Sequence, residues 1–329
     1  MAYFATKKYS YTGQLIILMC LCGGGLIIGS ILSLLPFLQF IQLSNIKGLN
    51  IESLIAQVFK PENANVIRLA QFISTLFIFF VPAYLYAWVC HKKPNIHLGF
   101  IIKPNLSQTV LFIGIMLASL PLVSALQQVT EMLPWSKAQL AVFKAAEDAY
   151  NKQVAVIARM DNVWDYIISV IVIAFLPALF EETMFRGGLQ NLVSRWTKKP
   201  ILSIVITAIV FSAIHGSYLG FLSRFALGFI LGWVYYKTGN IWLNIIGHFI
   251  NNGLAVTVLY FSATPGSKVN PAAIEDHYPV WTGLVSIAIV IVLCKVFDTV
   301  TKKYIDNPGQ EVLIPGYNFS NHPFDNDIA

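Results

Sequence analysis

Residues 164–190 read WDYIISVIVIAFLPALFEETMFRGGLQ. From Ile167 to Phe180 the stretch carries no charge, and a helix needs about 20 apolar residues to cross a hydrocarbon core of about 30 Å. It then runs into Glu181, Glu182 and Arg186. Ionised side chains at membrane depth cost about 2.5–3.5 kcal/mol each on insertion scales, so each is a functional candidate by default. The rest of the chain supports a membrane setting. Hydrophobic residues make up 56% of 329 and charged ones 12%, against about 45–50% and about 25% in soluble domains.

Seven further apolar runs surround this one, the first from Leu15 to about Leu38, the others near 66–90, 106–126, 200–215, 220–237, 241–262 and 279–297. The expected fold is therefore all-α, a polytopic transmembrane helical bundle of about eight spans. The first run follows Lys7 and Lys8, is longer than a signal-peptide core and lacks a small-residue cleavage site, so it is expected to stay as a span. Its Gly23, Gly24, Gly25 and Gly29 read as small residues that let helices approach closely.

The net charge of +6 sits in short clusters beside apolar runs, which is the positive-inside pattern and excludes a nucleic-acid-binding surface. Lys7 and Lys8; Lys92, Lys93 and Lys103; Arg195, Lys198 and Lys199; Lys237; and Lys302 with Lys303 alternate with loops poorer in positive charge. Both termini are expected on the cytoplasmic side, and the membrane is expected to be a bacterial cytoplasmic membrane. Cys20, Cys22, Cys90 and Cys294 lie in or beside apolar runs without a CxxC pair and read as packing residues.

Two stretches are not spans. Between Leu133 and Met160, Leu140, Phe143, Tyr150, Val154 and Ile157 recur at helical spacing among Lys137, Lys144, Glu147, Asp148 and Lys152, which predicts an amphipathic helix on the outer surface. After Ile305, the Pro and Gly positions and the absence of periodicity predict disorder. The chain thus divides into 1–160, holding spans 1–3 and the amphipathic helix; 161–262, a polar-bearing core; 263–303, the last span; and 304–329, a cytoplasmic tail.

Within the core, three polar groups recur. Glu182 and Arg186 are four apart and share a helix face, while Glu181 points about 100° away, without that partner. His215 closes the run that begins near Ile201. His248 and Asn252 are again four apart and place an imidazole and a carboxamide on one face. Each has a plain alternative: solvated helix-end acids, a capping histidine, and an interhelical hydrogen-bond pair. Together they hold what hydrolysis through activated water needs, a carboxylate and a histidine as base, and a second histidine and an amide as oxyanion donors. No HExxH, GxSxG or glycine-rich phosphate loop is present.

The ordered set Glu181-Glu182-x-x-x-Arg186, Phe211-x-x-x-His215 and His248-x-x-x-Asn252 resembles the three motifs of the CAAX-protease and bacteriocin-processing family of intramembrane proteases. The segment from Arg224 to Trp242 resembles the stretch such proteins carry before the last motif. The likeness covers about Trp164 to Leu259. It implies a protease core on spans 4, 5 and 7, with Glu181 and His215 activating water, His248 and Asn252 forming the oxyanion site, and Glu182 with Arg186 as a supporting pair. The family is often labelled metalloprotease; the glutamate-dependent mechanism needs no cofactor, and a divalent metal such as zinc is the alternative. The implied partners are a peptide or membrane-anchored protein substrate and the lipid bilayer. Eukaryotic members trim prenylated proteins and bacterial ones serve peptide maturation or immunity, and no stretch here reads as a prenyl pocket. The competing class is a non-catalytic scaffold or immunity-type protein of the same fold. One tension stands: if spans 4 and 5 run straight, Glu181 falls nearer the cytoplasm and His215 nearer the outside, unless span 4 extends to about Arg195 or the helices tilt.

Overall fold

A computed structural model of the chain describes residues 9–40, 60–157, 159–263 and 278–306, and among these every regular element is helical. Helix α1 spans Tyr11–Leu32, and Ser10 caps it by accepting from the Gly13 amide at 3.1 Å. Then follow α2 (Ala64–Cys90), α3 (Leu106–Met132), α4 (Lys137–Ile157), α5 (Val163–Thr197), α6 (Pro200–Ala213), α7 (Phe221–Thr238), α8 (Ile241–Ala263) and α9 (Val280–Asp306). Asn105 and Asn162 cap α3 and α5 through their side-chain oxygens, and Asn240 accepts from the Trp242 amide at the start of α8 at 2.9 Å.

All eight expected runs are helical. Among the described residues, six helices, α1 with the turn after it, α2, α3, α5, α8 and α9, are long and apolar enough to cross a membrane. The other two differ from the expectation. Helix α6 has 14 residues, about 21 Å at about 1.5 Å per residue. Helix α7 has 18 residues, with Arg224 and Lys237 among them. They pack on each other as a hairpin. The chain is an integral membrane protein, a polytopic helical bundle whose outer belt is apolar: Ile16, Met19 and Ile27 on α1 and Trp281, Leu284 and Val292 on α9 are all exposed.

Small residues set the helix approaches. A side chain on Gly25 would meet the Phe77 carbonyl oxygen and Pro82 of α2, and one on Gly29 the Phe77 Cβ at 3.0 Å, whereas Gly23 and Gly24 have nothing within 4 Å. The expectation of close approach thus applies to the second half of the glycine run. The apolar interior gathers on two sides of α5 and α7. One group joins Leu18, Tyr86, Met184, Phe185 and Phe211, and the other Phe112, Ile115, Leu231, Val234 and Phe297.

The amphipathic helix is present as α4. Its Phe143 ring stacks on Tyr218 with centroids 4.4 Å apart, and the Ser217 hydroxyl donates to Glu147 at 2.6 Å. It therefore packs against the loop between α6 and α7, an attachment the charge pattern did not foretell. The side chains of Tyr150, Val154 and Ile157 lie outside the described residues, as do Lys7, Lys8 and the tail from 307 onward. Helix α9 continues to Asp306, slightly beyond the expected start of that tail.

Candidate functional site

Helix α5 runs through the middle of the bundle and holds Glu181, Glu182 and Arg186 near its midpoint. Two of its stretches, Val170–Phe175 and Thr183–Gln190, are wound as π-helix, a local widening that recurs at functional positions. Glu182 and Arg186 are fully buried, with Arg186 Nε 3.1 Å from Glu182 Oε2. Arg186 also donates to the Gly228 carbonyl at 3.3 Å and lies over the Phe211 ring, 5.0 Å from its centroid. The expected ion pair is therefore formed, and it is anchored on α7.

Glu182 has a second partner. His248 Nδ1 donates to Glu182 Oε1 at 2.9 Å, so one carboxylate ties α5 to α8 and fixes the imidazole. Spacing along α8 pairs His248 with Asn252 but gives no hint of this contact. Asn251 Nδ2 donates to Asn252 Oδ1 at 3.2 Å, leaving the Asn252 amide NH2 as its available donor.

Glu181 points elsewhere, as the helical turn requires. Its Oε2 lies 3.9 Å from His215 Nε2 and is buried with no hydrogen-bond partner. The His215 ring is held by Nδ1, 2.7 Å from the Phe211 carbonyl. A carbonyl only accepts, so Nδ1 carries a proton and Nε2 is the atom turned toward Glu181. Phe211 sits between the parts of the site, its ring centroid 4.9 Å from that of His215 and 5.9 Å from that of His248.

The tension over depth is resolved by helix length. Helix α5 continues to Thr197, so Glu181 lies near its middle, and α6 stops at Ala213, about 21 Å from its start. A turn at Gly216, whose φ is +66°, then folds the chain back toward α7. His215 is thereby left at the level of Glu181.

Glu181, His215, His248 and Asn252 line one cavity of about 490 Å³, within the range of small-molecule and peptide sites. Most of its other walls are apolar, among them Val172, Ile173, Leu227, Leu231, Val256 and Leu259, with Gln71 and Asn251 as polar exceptions. Arg224 also lines it. That residue was quoted only as the start of a family-like segment, although a charge inside an apolar run marks it as a candidate. Also missed were Gly228 and Gly232. Their carbonyls accept from Arg186 and from Gln190, the latter at 2.8 Å. Asn244 likewise donates to the Leu231 carbonyl at 2.7 Å. The Gly-x-x-x-Gly spacing in a membrane helix was the available signal.

His248 Nδ1 is held by Glu182 and His215 Nδ1 by the Phe211 carbonyl, which leaves Nε2 of each ring facing the site. Among the described residues, no group of three His, Cys, Asp or Glu side chains is gathered as a metal-ligand set.

Comparison with known proteins finds similarity over the segment that carries these residues. Residues 163–254 match the family model described as type II CAAX prenyl endopeptidase Rce1-like. Over 85 residues the chain is 34% identical to the "Uncharacterized protein YpbD" of Bacillus subtilis (strain 168), in an alignment that takes in 25% of this chain and 40% of that one. The chain thus spans less than half the length of the curated relative it matches. No solved structure matches it.

Proposed function

We propose that this membrane protein, similar over residues 163–254 to type II CAAX prenyl endopeptidases, is an intramembrane endopeptidase that hydrolyses a peptide bond through water activated by Glu181 and His215. One observation carries the reading: a buried carboxylate oxygen of Glu181 with no hydrogen-bond partner, 3.9 Å from the acceptor nitrogen of His215. That gap is too long for a direct hydrogen bond and suits one bridging water. Both atoms are acceptors, so such a water gives one hydrogen to each and turns a lone pair outward.

The water oxygen attacks the scissile carbonyl carbon while Glu181 takes its proton. The carbonyl oxygen becomes an oxyanion, to which Asn252 Nδ2 and His248 Nε2 donate. Because His248 Nδ1 already gives its proton to Glu182, Nε2 donates only in the imidazolium form. Collapse of the tetrahedral species breaks the C–N bond, and Glu181 returns the proton to the leaving amine. No step draws on a metal and no covalent enzyme intermediate forms. The substrate is a peptide or membrane-anchored protein segment, with apolar side chains against the Leu227, Leu231 and Leu259 wall. Both termini face the cytoplasm, as the lysine clusters imply.

A non-catalytic scaffold would use the Glu182–Arg186–Gly228 and Gln190–Gly232 contacts to hold helices, but it has no use for Glu181 and His215 turned into a cavity. The two readings separate on cleavage of a peptide library by the purified protein in detergent, beside Glu181→Gln. Turnover by the wild type that falls about 10²–10⁴-fold in a folded Glu181→Gln supports the protease. A verified substrate cleaved equally by both would sink it.

A further inference from the structure

The face of α7 turned away from the cavity borders a second, larger space. A groove of about 800 Å³ runs between α7 and α9. Phe225, Phe229, Trp233 and Lys237, each four residues after the last, form a single line along α7, and Ile287, Ile291, Cys294 and Asp298 follow along α9. Helix α9 packs chiefly on α3, and α7 on α3 and α6. The α7–α9 seam closes only near one end, where Trp233 meets Phe297 at 5.7 Å between centroids and Lys237 Nζ lies 2.6 Å from Asp298 Oδ1.

That end is positively charged. Lys302 Nζ lies 2.9 Å from the other Asp298 oxygen, and Lys295 lines the same stretch. Two ammonium groups thus flank one carboxylate, with a third lysine along the same groove. Read along its length, the groove passes from aliphatic and phenyl walls to an indole at Trp233, with Tyr236 beside Lys237, and then to lysines. This is the order of a phospholipid, acyl chains first, interfacial region next, headgroup last.

We propose that the α7–α9 groove is a binding site for a phospholipid with an anionic headgroup. A zwitterionic headgroup would bring a positive charge to a cluster that is already net positive. A helix of a second copy would fill the trough but supply no anion to the lysines. The walls of the groove and of the cavity are opposite faces of α7, since Leu227 and Leu231 line the cavity. An occupant therefore braces the helix on which Arg186 and Asn244 are anchored.

The test is quenching of indole fluorescence by brominated acyl chains in reconstituted vesicles. Brominated phosphatidylglycerol is compared with brominated phosphatidylcholine at equal fraction in a phosphatidylcholine background. The signal lost in Trp233→Phe is the share that belongs to the groove. The expected result is stronger quenching of that share by phosphatidylglycerol. Lys295→Gln and Lys302→Gln, at exposed positions and so safe for folding, should each lower the preference about fivefold. Equal quenching of Trp233 by the two lipids, in wild type and variants alike, would overturn the proposal. So would a Trp233 shielded from both lipids in a protein whose copies cross-link through Cys294, since the occupant would then be a second chain.

Discussion

Glu181 and Glu182 are neighbours in the chain, and the turn of α5 sends their carboxylates to different places, about 100° apart. Glu182 meets Arg186 and His248 in full burial. Removing it strands the guanidinium and releases the imidazole, so Glu182→Ala is expected to cost about 3–5 kcal/mol and to lower the yield of folded protein. The Glu182→Ala, Arg186→Ala double variant should melt higher in detergent than either single one. The Glu182–Arg186 pair was legible, because both partners lie on one helix. The Glu182–His248 bond was not, because it depends on how α5 and α8 face each other. A second buried histidine offers a pH test. His97, between α2 and α3, is 5% exposed and stacks on His91 with centroids 3.4 Å apart, near Tyr86. Burial first, then His91 and Arg195, hold its pKa well below the usual histidine value. The unfolded chain therefore binds the proton more readily, so this stabilisation is complete above about pH 6.5 and declines as pH falls. His97→Phe is expected to flatten the dependence of the melting temperature on pH below that value.

Helices were legible from apolar runs, and their ends from Ser10, Asn105 and Asn162. Their mutual approach was less so, because it depends on which face of a glycine meets a neighbour. In α1, Gly24 faces open space and Gly25 faces the Phe77 carbonyl and Pro82. Gly25→Ala should force α1 from α2 and cost about 1–3 kcal/mol, while Gly24→Ala should be neutral or slightly stabilising, since Ala is the better helix former. Thermal melts in detergent of the two variants, one residue apart, distinguish packing from propensity. The same reasoning explains why Gly228 and Gly232 escaped notice. Their weight comes from the carbonyls they present to Arg186 and Gln190, and a sequence shows no carbonyl direction. Helix α4 was legible as amphipathic, but its place beside the His215 loop rests on Phe143 with Tyr218 and Glu147 with Ser217, contacts far apart in the chain.

Across the whole molecule, the expected bundle is present, and the short α6 packs against α7 and the second half of α5. That shortness has a consequence for the surroundings of the protein. Ile201, Leu202, Ile209, Val210 and Ile214 make an exposed apolar strip along α6, about 21 Å tall. The neighbouring hydrocarbon is about 30 Å thick, so lipid beside α6 must thin or leave its tails against polar backbone, at a fraction of a kcal/mol for each ångström of mismatch. Thinning of the bilayer on this flank is the expected response, and it would bring water closer to His215 than a flat membrane would allow. Lengthening the acyl chains works against that thinning. In a series of vesicles differing only in chain length, peptide turnover is expected to fall as the membrane thickens, while the same series leaves the melting behaviour of the detergent-extracted protein untouched.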